Sequence, residues 1–198
     1  MMTRFHITSL LYLLMVAPFT SSAAEFFITP MVGYTLGGGV EDESDNNYDL
    51  SGAVNYSIAL ETPLDQGRIG LFYSNQSSEL DDIKLTSSVQ YLHFQSSIYY
   101  PATNNISGYL GLGIGGSYVD VDWVKDKYGF SASLFGGVEY QLSSNVALTS
   151  QVRWLGTVVD NETSGQCTLP TTGNSCTIRF KTDWMNQFQT NVGLRISF

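Results

Sequence analysis

The chain holds two histidines, and His93 is the one inside a patterned segment. Residues two and four apart on an extended strand share a face. Tyr91 and Ser97 therefore stand on the face of His93, an imidazole beside two hydroxyls. A hydrolase of the serine type needs a third member, a carboxylate at the same depth to orient the ring. The segment supplies none, so the expectation is a buried, hydrogen-bonded histidine and a protein without catalysis. Cys167 and Cys176 are the only cysteines. On an oxidising export route, two cysteines this close form a disulfide by default. In the chain-entropy picture it stabilises by about 2–3 kcal/mol. No histidine lies near them, so they are not read as metal ligands.

The charge is uneven as well as negative, with 18 acidic residues and a net charge of −9. All the acids except Glu25, Glu61, Asp65 and Glu139 fall in loops or strand tips on one predicted side: Glu41, Asp42, Glu43, Asp45, Asp49, Glu79, Asp81, Asp82, Asp120, Asp122, Asp126, Asp160, Glu162 and Asp183. Carboxylates are ligands for hard cations, but the spacing fits no EF-hand loop. A solvated rim is expected, with no metal and no cofactor. Lys84, Lys125, Lys127, Arg179 and Lys181 lie on the same side and could meet lipid phosphates. An exported chain of this charge is not expected to bind nucleic acid.

Alternation positions these residues. From Phe188 onward, Phe188, Thr190, Val192, Leu194, Ile196 and Phe198 face one way and Gln189, Asn191, Gly193, Arg195 and Ser197 the other. Period-two patterning of this kind is a β-strand with one apolar face. Seven more segments repeat it: about Glu25–Gly37, Leu50–Glu61, Arg68–Gln76, Leu85–Tyr100, Ile106–Val119, Tyr128–Leu142 and Val146–Val159. The connections after the second, fourth and sixth are short: Thr62–Gly67, Pro101–Asn105 and Ser143–Asn145. The others are longer or more polar, the last being Asp160–Arg179. Short turns on one side and long loops on the other mark a barrel that crosses a membrane. The composition agrees, with 19 Gly, 12 Tyr and 11 Phe and few basic residues.

The start of the chain supplies an export route. Arg4, the apolar run Ile7–Phe19 and Ser21-Ser22-Ala23-Ala24 read as a signal peptide cleaved after Ala24. The expected organisation is residues 1–24 as signal peptide and 25–198 as one all-β domain, an eight-stranded antiparallel transmembrane β-barrel. A lipocalin-like or other soluble sandwich would also alternate. Against it stand the apolar face on every strand, the aromatic residues near strand ends and the Phe198 terminus. Eight strands enclose a lumen that side chains can fill. The inward set is polar, and buried charges need partners. Glu139 and Arg153 lie on adjacent strands with matching parity, and Arg195 lies on the next. The three are expected to form an interior network that plugs the lumen. Gly111, Gly113 and Gly115 form an inward stripe without side chains. It is expected to make room for Tyr91, Tyr99 or Phe135.

Four stretches carry a family resemblance: Pro30-Met31-Val32-Gly33-Tyr34, Gly111-x-Gly113-x-Gly115-Gly116, Phe135-Gly136-Gly137-Val138-Glu139-Tyr140 and Val192-Gly193-Leu194-Arg195-Ile196-Ser197-Phe198. With them residues 25–198 resemble the small outer-membrane β-barrel superfamily, the OmpX-like and OmpA N-terminal barrels. The terminal stretch is similar to the signal read by the barrel-assembly machinery, with Phe198 as its end. The resemblance implies a monomer in the outer membrane of a Gram-negative bacterium, in contact with lipid and lipopolysaccharide. It implies a structural or surface-interaction role. A narrow channel for small molecules and a lipid A-modifying enzyme are the alternatives. The His/Ser/acid constellation of such enzymes does not map onto these residues.

Overall fold

The structure, a computed structural model, describes residues 25–37, 39–42, 47–49, 52–79, 86–120, 127–158, 165–168, 175–180 and 184–198. The signal-peptide residues 1–24 lie outside them. Twelve strands follow in chain order: β1 (Phe27–Gly37), β2 (Gly39–Asp42), β3 (Asn47–Asp49), β4 (Ala53–Leu64), β5 (Gly67–Glu79), β6 (Thr86–Pro101), β7 (Ile106–Asp120), β8 (Tyr128–Gln141), β9 (Val146–Val158), β10 (Gly165–Thr168), β11 (Ser175–Phe180) and β12 (Trp184–Ser197).

The eight long strands form a closed barrel in the order β1-β12-β9-β8-β7-β6-β5-β4. Every pairing is antiparallel, and β12 returns to β1 with Val32 opposite Val192 and Leu36 opposite Phe188. Beyond the last turn the termini pair again. Phe26 and Phe198 exchange backbone hydrogen bonds of 3.4 and 3.0 Å, and their rings stack at 5.0 Å. Closure removes the exposed edges an open sheet would carry. The seam has one interruption. The ladder between β1 and β12 skips Thr29 and Pro30, because proline has no N–H to offer.

Alternation sets which side chains go inside. Along β4 every second residue from Ala53 to Glu61 is buried and the residues between are exposed. The polarity is the reverse of a soluble protein's. Leu112 is 64 % exposed while Arg153 is 0 % exposed. Soluble monomers rarely expose apolar patches beyond a few hundred Å², yet here an apolar belt rings the barrel. That excludes the soluble sandwich. Aromatic residues border the belt: Phe26, Tyr100, Tyr140 and Phe198 at the short-turn end, Tyr34, Tyr56, Tyr73 and Phe188 toward the other. Phe26 to Tyr34 is the length of the ~9–11-residue strand that crosses a membrane when tilted.

Two departures from the sequence reading concern the connections. β4 runs on to Leu64, so the first short turn is only Asp65 and Gln66, with Leu64 opposite Gly67. Asp65 takes a left-handed φ of 49°, which aspartate tolerates better than most residues. The first and fourth long loops also carry strand structure. β2, β3, β10 and β11 form a separate sheet in the order β10-β11-β2-β3. Its segments are too short for period-two patterning to show, and β11 meets β2 only because the barrel brings the two loops side by side.

Candidate functional site

The barrel interior holds His93, Glu61, Glu139, Arg153 and Arg195 as buried side chains, with Arg68 beside them. Nearest the short turns lies an ion cluster. Glu139 on β8 accepts a hydrogen bond from Arg195 Nε at 2.7 Å and meets Arg68 Nη1 at 3.0 Å. Arg195 also donates to Gln141 Oε1 and Ser197 Oγ, at 2.6 and 3.1 Å. Arg68 donates to the Tyr99 hydroxyl at 2.7 Å. Its guanidinium lies 4.2 and 4.1 Å from the ring centres of Phe27 and Tyr99. The second carboxylate, Glu61, accepts from Gln95 Nε2 at 2.8 Å. One carboxylate shared by two guanidiniums, each held by further acceptors and rings, is the arrangement in which buried charge is tolerated.

Arg153 stands apart from this cluster, a correction to the expected network. Glu139 pairs with Thr149, whereas Arg153 pairs with Phe135. Four residues along a strand separate the levels of Glu139 and Arg153 by about 13 Å. Arg153 instead fills the middle of the lumen. Nε donates to Gln151 Oε1 at 3.2 Å, Nη1 to Ser133 Oγ at 2.7 Å and Nη2 to Gln95 Oε1 at 2.6 Å. The Phe72 and Phe135 rings cover its two faces at 3.7 and 4.0 Å. Neutral acceptors and ring faces, rather than a carboxylate, stabilise this cation. Arg68, which takes the place expected of Arg153, shared its inward parity but lies far away in sequence.

His93 lies fully buried beside Arg153. Its Nδ1 is 3.0 Å from Ser133 Oγ and its Nε2 is 2.7 Å from Ser131 Oγ. Neither Tyr91 nor Ser97 makes these bonds. The partners come from β8, and only the cross-strand register could have found them. Ser133 also receives Arg153, so this hydroxyl is engaged on both sides. No carboxylate hydrogen-bonds the ring among the described residues. The glycine stripe of β7 serves its neighbours here. A Cβ on Gly111 would strike the Phe135 ring, and one on Gly113 would lie 2.7 Å from Ser133 Oγ and 3.3 Å from His93 Nδ1.

Toward the long loops the interior-facing side chains among the described residues are polar but uncharged. Gln187 Oε1 accepts from Gln76 Nε2 at 2.8 Å and from the Tyr91 hydroxyl at 2.7 Å. Leu155, Val89 and Tyr91 make a small apolar cluster beside them.

No protein-family model matches the chain, and no curated protein matches it in sequence. Solved structures do. Neisserial surface protein A superposes with a TM-score of 0.61 at 12 % identity, over 87 % of this chain and 97 % of that one. The outer membrane protein OprG from Pseudomonas aeruginosa gives 0.61 at 13 %, over 89 % and 96 %. The outer membrane protein AlkL in lipid bilayers gives 0.54 at 17 %, over 88 % and 90 %. The fold is that of the small outer-membrane β-barrels.

In such a barrel the remaining residues of interest sit at the two ends. Phe198 is exposed on the apolar belt at the short-turn end. At the long-loop end, β10 and β11 pair with Cys167 directly opposite Cys176. Most of the acidic rim, including Glu43, Asp45, Asp81, Asp82, Asp122, Asp126, Asp160, Glu162 and Asp183, lies outside the described residues, as do Lys84, Lys125 and Lys181. Among the described residues, no group of three or more His, Cys, Asp or Glu is placed to hold a metal ion.

Proposed function

We propose that this protein is an integral outer-membrane barrel with a structural or surface-interaction role, its lumen closed by polar side chains and without catalysis. The observation that carries this reading is Arg153. A guanidinium at the lumen centre, clamped between two aromatic rings and bonded to three strands, supports a closed lumen. The cavity beside Glu61, Arg68 and Glu139 is about 20 Å³, room for about one water molecule. The apolar belt supports lipid contact, and the shared fold supports the outer membrane as its location.

The chain reaches that membrane through a cleaved signal peptide, residues 1–24, and the barrel-assembly machinery reads the strand ending at Phe198. It works as a monomer. Its functional surface is the acidic long-loop side, facing lipopolysaccharide, and a Cys167–Cys176 disulfide ties the β10–β11 hairpin. Single-channel recording in planar bilayers tests the closed lumen. The expected result is a flat trace at neutral pH; reproducible open steps would overturn it in favour of a channel.

A further inference from the structure

One chain of hydrogen bonds joins His93, Arg153 and Glu61, and its direction is fixed at every link. A guanidinium only donates, so Arg153 Nη1 gives a hydrogen to Ser133 Oγ at 2.7 Å. The hydrogen of Ser133 is then left for the other group on that oxygen, His93 Nδ1 at 3.0 Å. Since Nδ1 accepts, Nε2 carries the ring hydrogen and gives it to Ser131 Oγ at 2.7 Å. Beyond Arg153, Nη2 donates to Gln95 Oε1 at 2.6 Å, and Gln95 Nε2 donates to Glu61 Oε1 at 2.8 Å. The imidazole that steadies Arg153 through Ser133 is therefore neutral.

A proton added at Nδ1 reverses one link and leaves Ser133 Oγ between two cations. The two contacts on that oxygen hold the imidazolium and guanidinium nitrogens no more than about 6 Å apart, inside a barrel where charges are weakly screened. The surroundings of the ring supply no counter-charge. Tyr91, on the same strand, lies ring to ring at 5.9 Å with its hydroxyl on Gln187. β5 presents Phe72, β7 presents Gly113 and Gly115, and β8 the two serines. β9 presents Arg153 itself, and the carboxylate of Glu61 is reached only through Gln95. We propose that His93 is an acid-sensitive latch on the plug, a regulation that rests on the closed-lumen reading above. Protonation of the ring drives Arg153 from between Phe72 and Phe135 and opens the lumen to ions.

The test is single-channel recording of the folded chain in planar bilayers, at neutral pH and at about pH 4, below the ordinary range of histidine. The trace should be flat at neutral pH and show open steps in acid that vanish when neutral buffer returns. Glutamine can accept from Ser133 and donate to Ser131 but takes up no proton, so His93→Gln should stay flat at both. Steps at neutral pH in the native chain would overturn the closed lumen and the latch with it. A flat trace in acid would overturn the latch alone. Acid steps that persist in His93→Gln would move the sensitivity to a carboxylate such as Glu61 and overturn it too. Should that variant fail to fold, 15N NMR of the native chain in micelles reads the ring itself. Hydrogen on Nε2 alone is expected at neutral pH, and on both nitrogens where the steps appear. Hydrogen on Nδ1 at neutral pH, or a ring still neutral where the steps appear, would overturn the proposal.

Discussion

The two walls of the barrel interior use the same residue types and reach opposite results. On the wall from β6 to β9, Gln95, His93, Ser131, Ser133, Gln151 and Arg153 bond to one another, and large rings fill the space over the β7 glycines. Ser97 is the exception, with an unpaired hydroxyl. On the wall of β4, β1 and β12 the glycine is flanked by amides and a serine instead, and Asn55 Oδ1, Ser57 Oγ, Gln189 Oε1 and both Asn191 amide atoms stay unpaired within the protein. The difference lies in what can reach across. Arg153 has a side chain long enough to bond to three strands and flat enough to be sandwiched by rings. Asparagine and serine are too short to bridge a lumen. A polar interior is therefore largely paired where a long, multidentate residue organises it and partly unpaired where short ones predominate.

The contrast can be broken at its strongest point first. Glu139→Ala removes the carboxylate that Arg68 and Arg195 share and leaves two mostly buried guanidiniums without their ion-pair partner. Urea unfolding of the barrel in lipid vesicles should show a loss of about 3–5 kcal/mol. An unchanged midpoint would mean that the cluster is solvated. Next, Gln95→Leu takes a partner from both Arg153 and Glu61, and the same measurement should show about 1–3 kcal/mol lost for each group left unpaired. On the other wall, Asn191→Leu discards atoms that no protein group uses. Its effect should lie near zero or be stabilising, and a loss as large as that of Gln95→Leu would erase the distinction between the walls. The smallest effect on the barrel belongs to Cys176→Ser. It should leave the unfolding midpoint of the membrane strands unchanged while the outer loops become faster to cleave by added protease; equal cleavage rates would count against the disulfide.

Much of this architecture is legible in the sequence. Parity is local, so Arg153, Glu139, Arg195 and His93 could each be assigned to the lumen from their own strands. The apolar partners of each strand could be assigned to lipid in the same way. The closing strand shows how far this goes, since every residue from Phe188 to Phe198 faces as its alternation requires. Pair identities were less accessible. Reading Glu139 toward Arg153 rested on neighbouring strands and matched parity, and it failed because parity says nothing about height along the barrel axis. Ser131 and Ser133 escaped notice as partners of His93 for the same reason. The outer sheet escaped because three- to six-residue strands carry too few alternations to be seen.

The sequence by itself determined the number of membrane strands, the face each side chain takes and the polarity of inside and outside, because these depend on neighbours two residues away. Tertiary structure alone decided that Arg68 joins Glu139 across the lumen and that Arg153 sits between Phe72 and Phe135. It also decided that the side-chain oxygens of Asn55, Gln189 and Asn191, on the strands flanking Gly33, have no partner within the protein. Those contacts depend on the register and stagger of eight strands closing on themselves, a property of the whole barrel that no single strand contains.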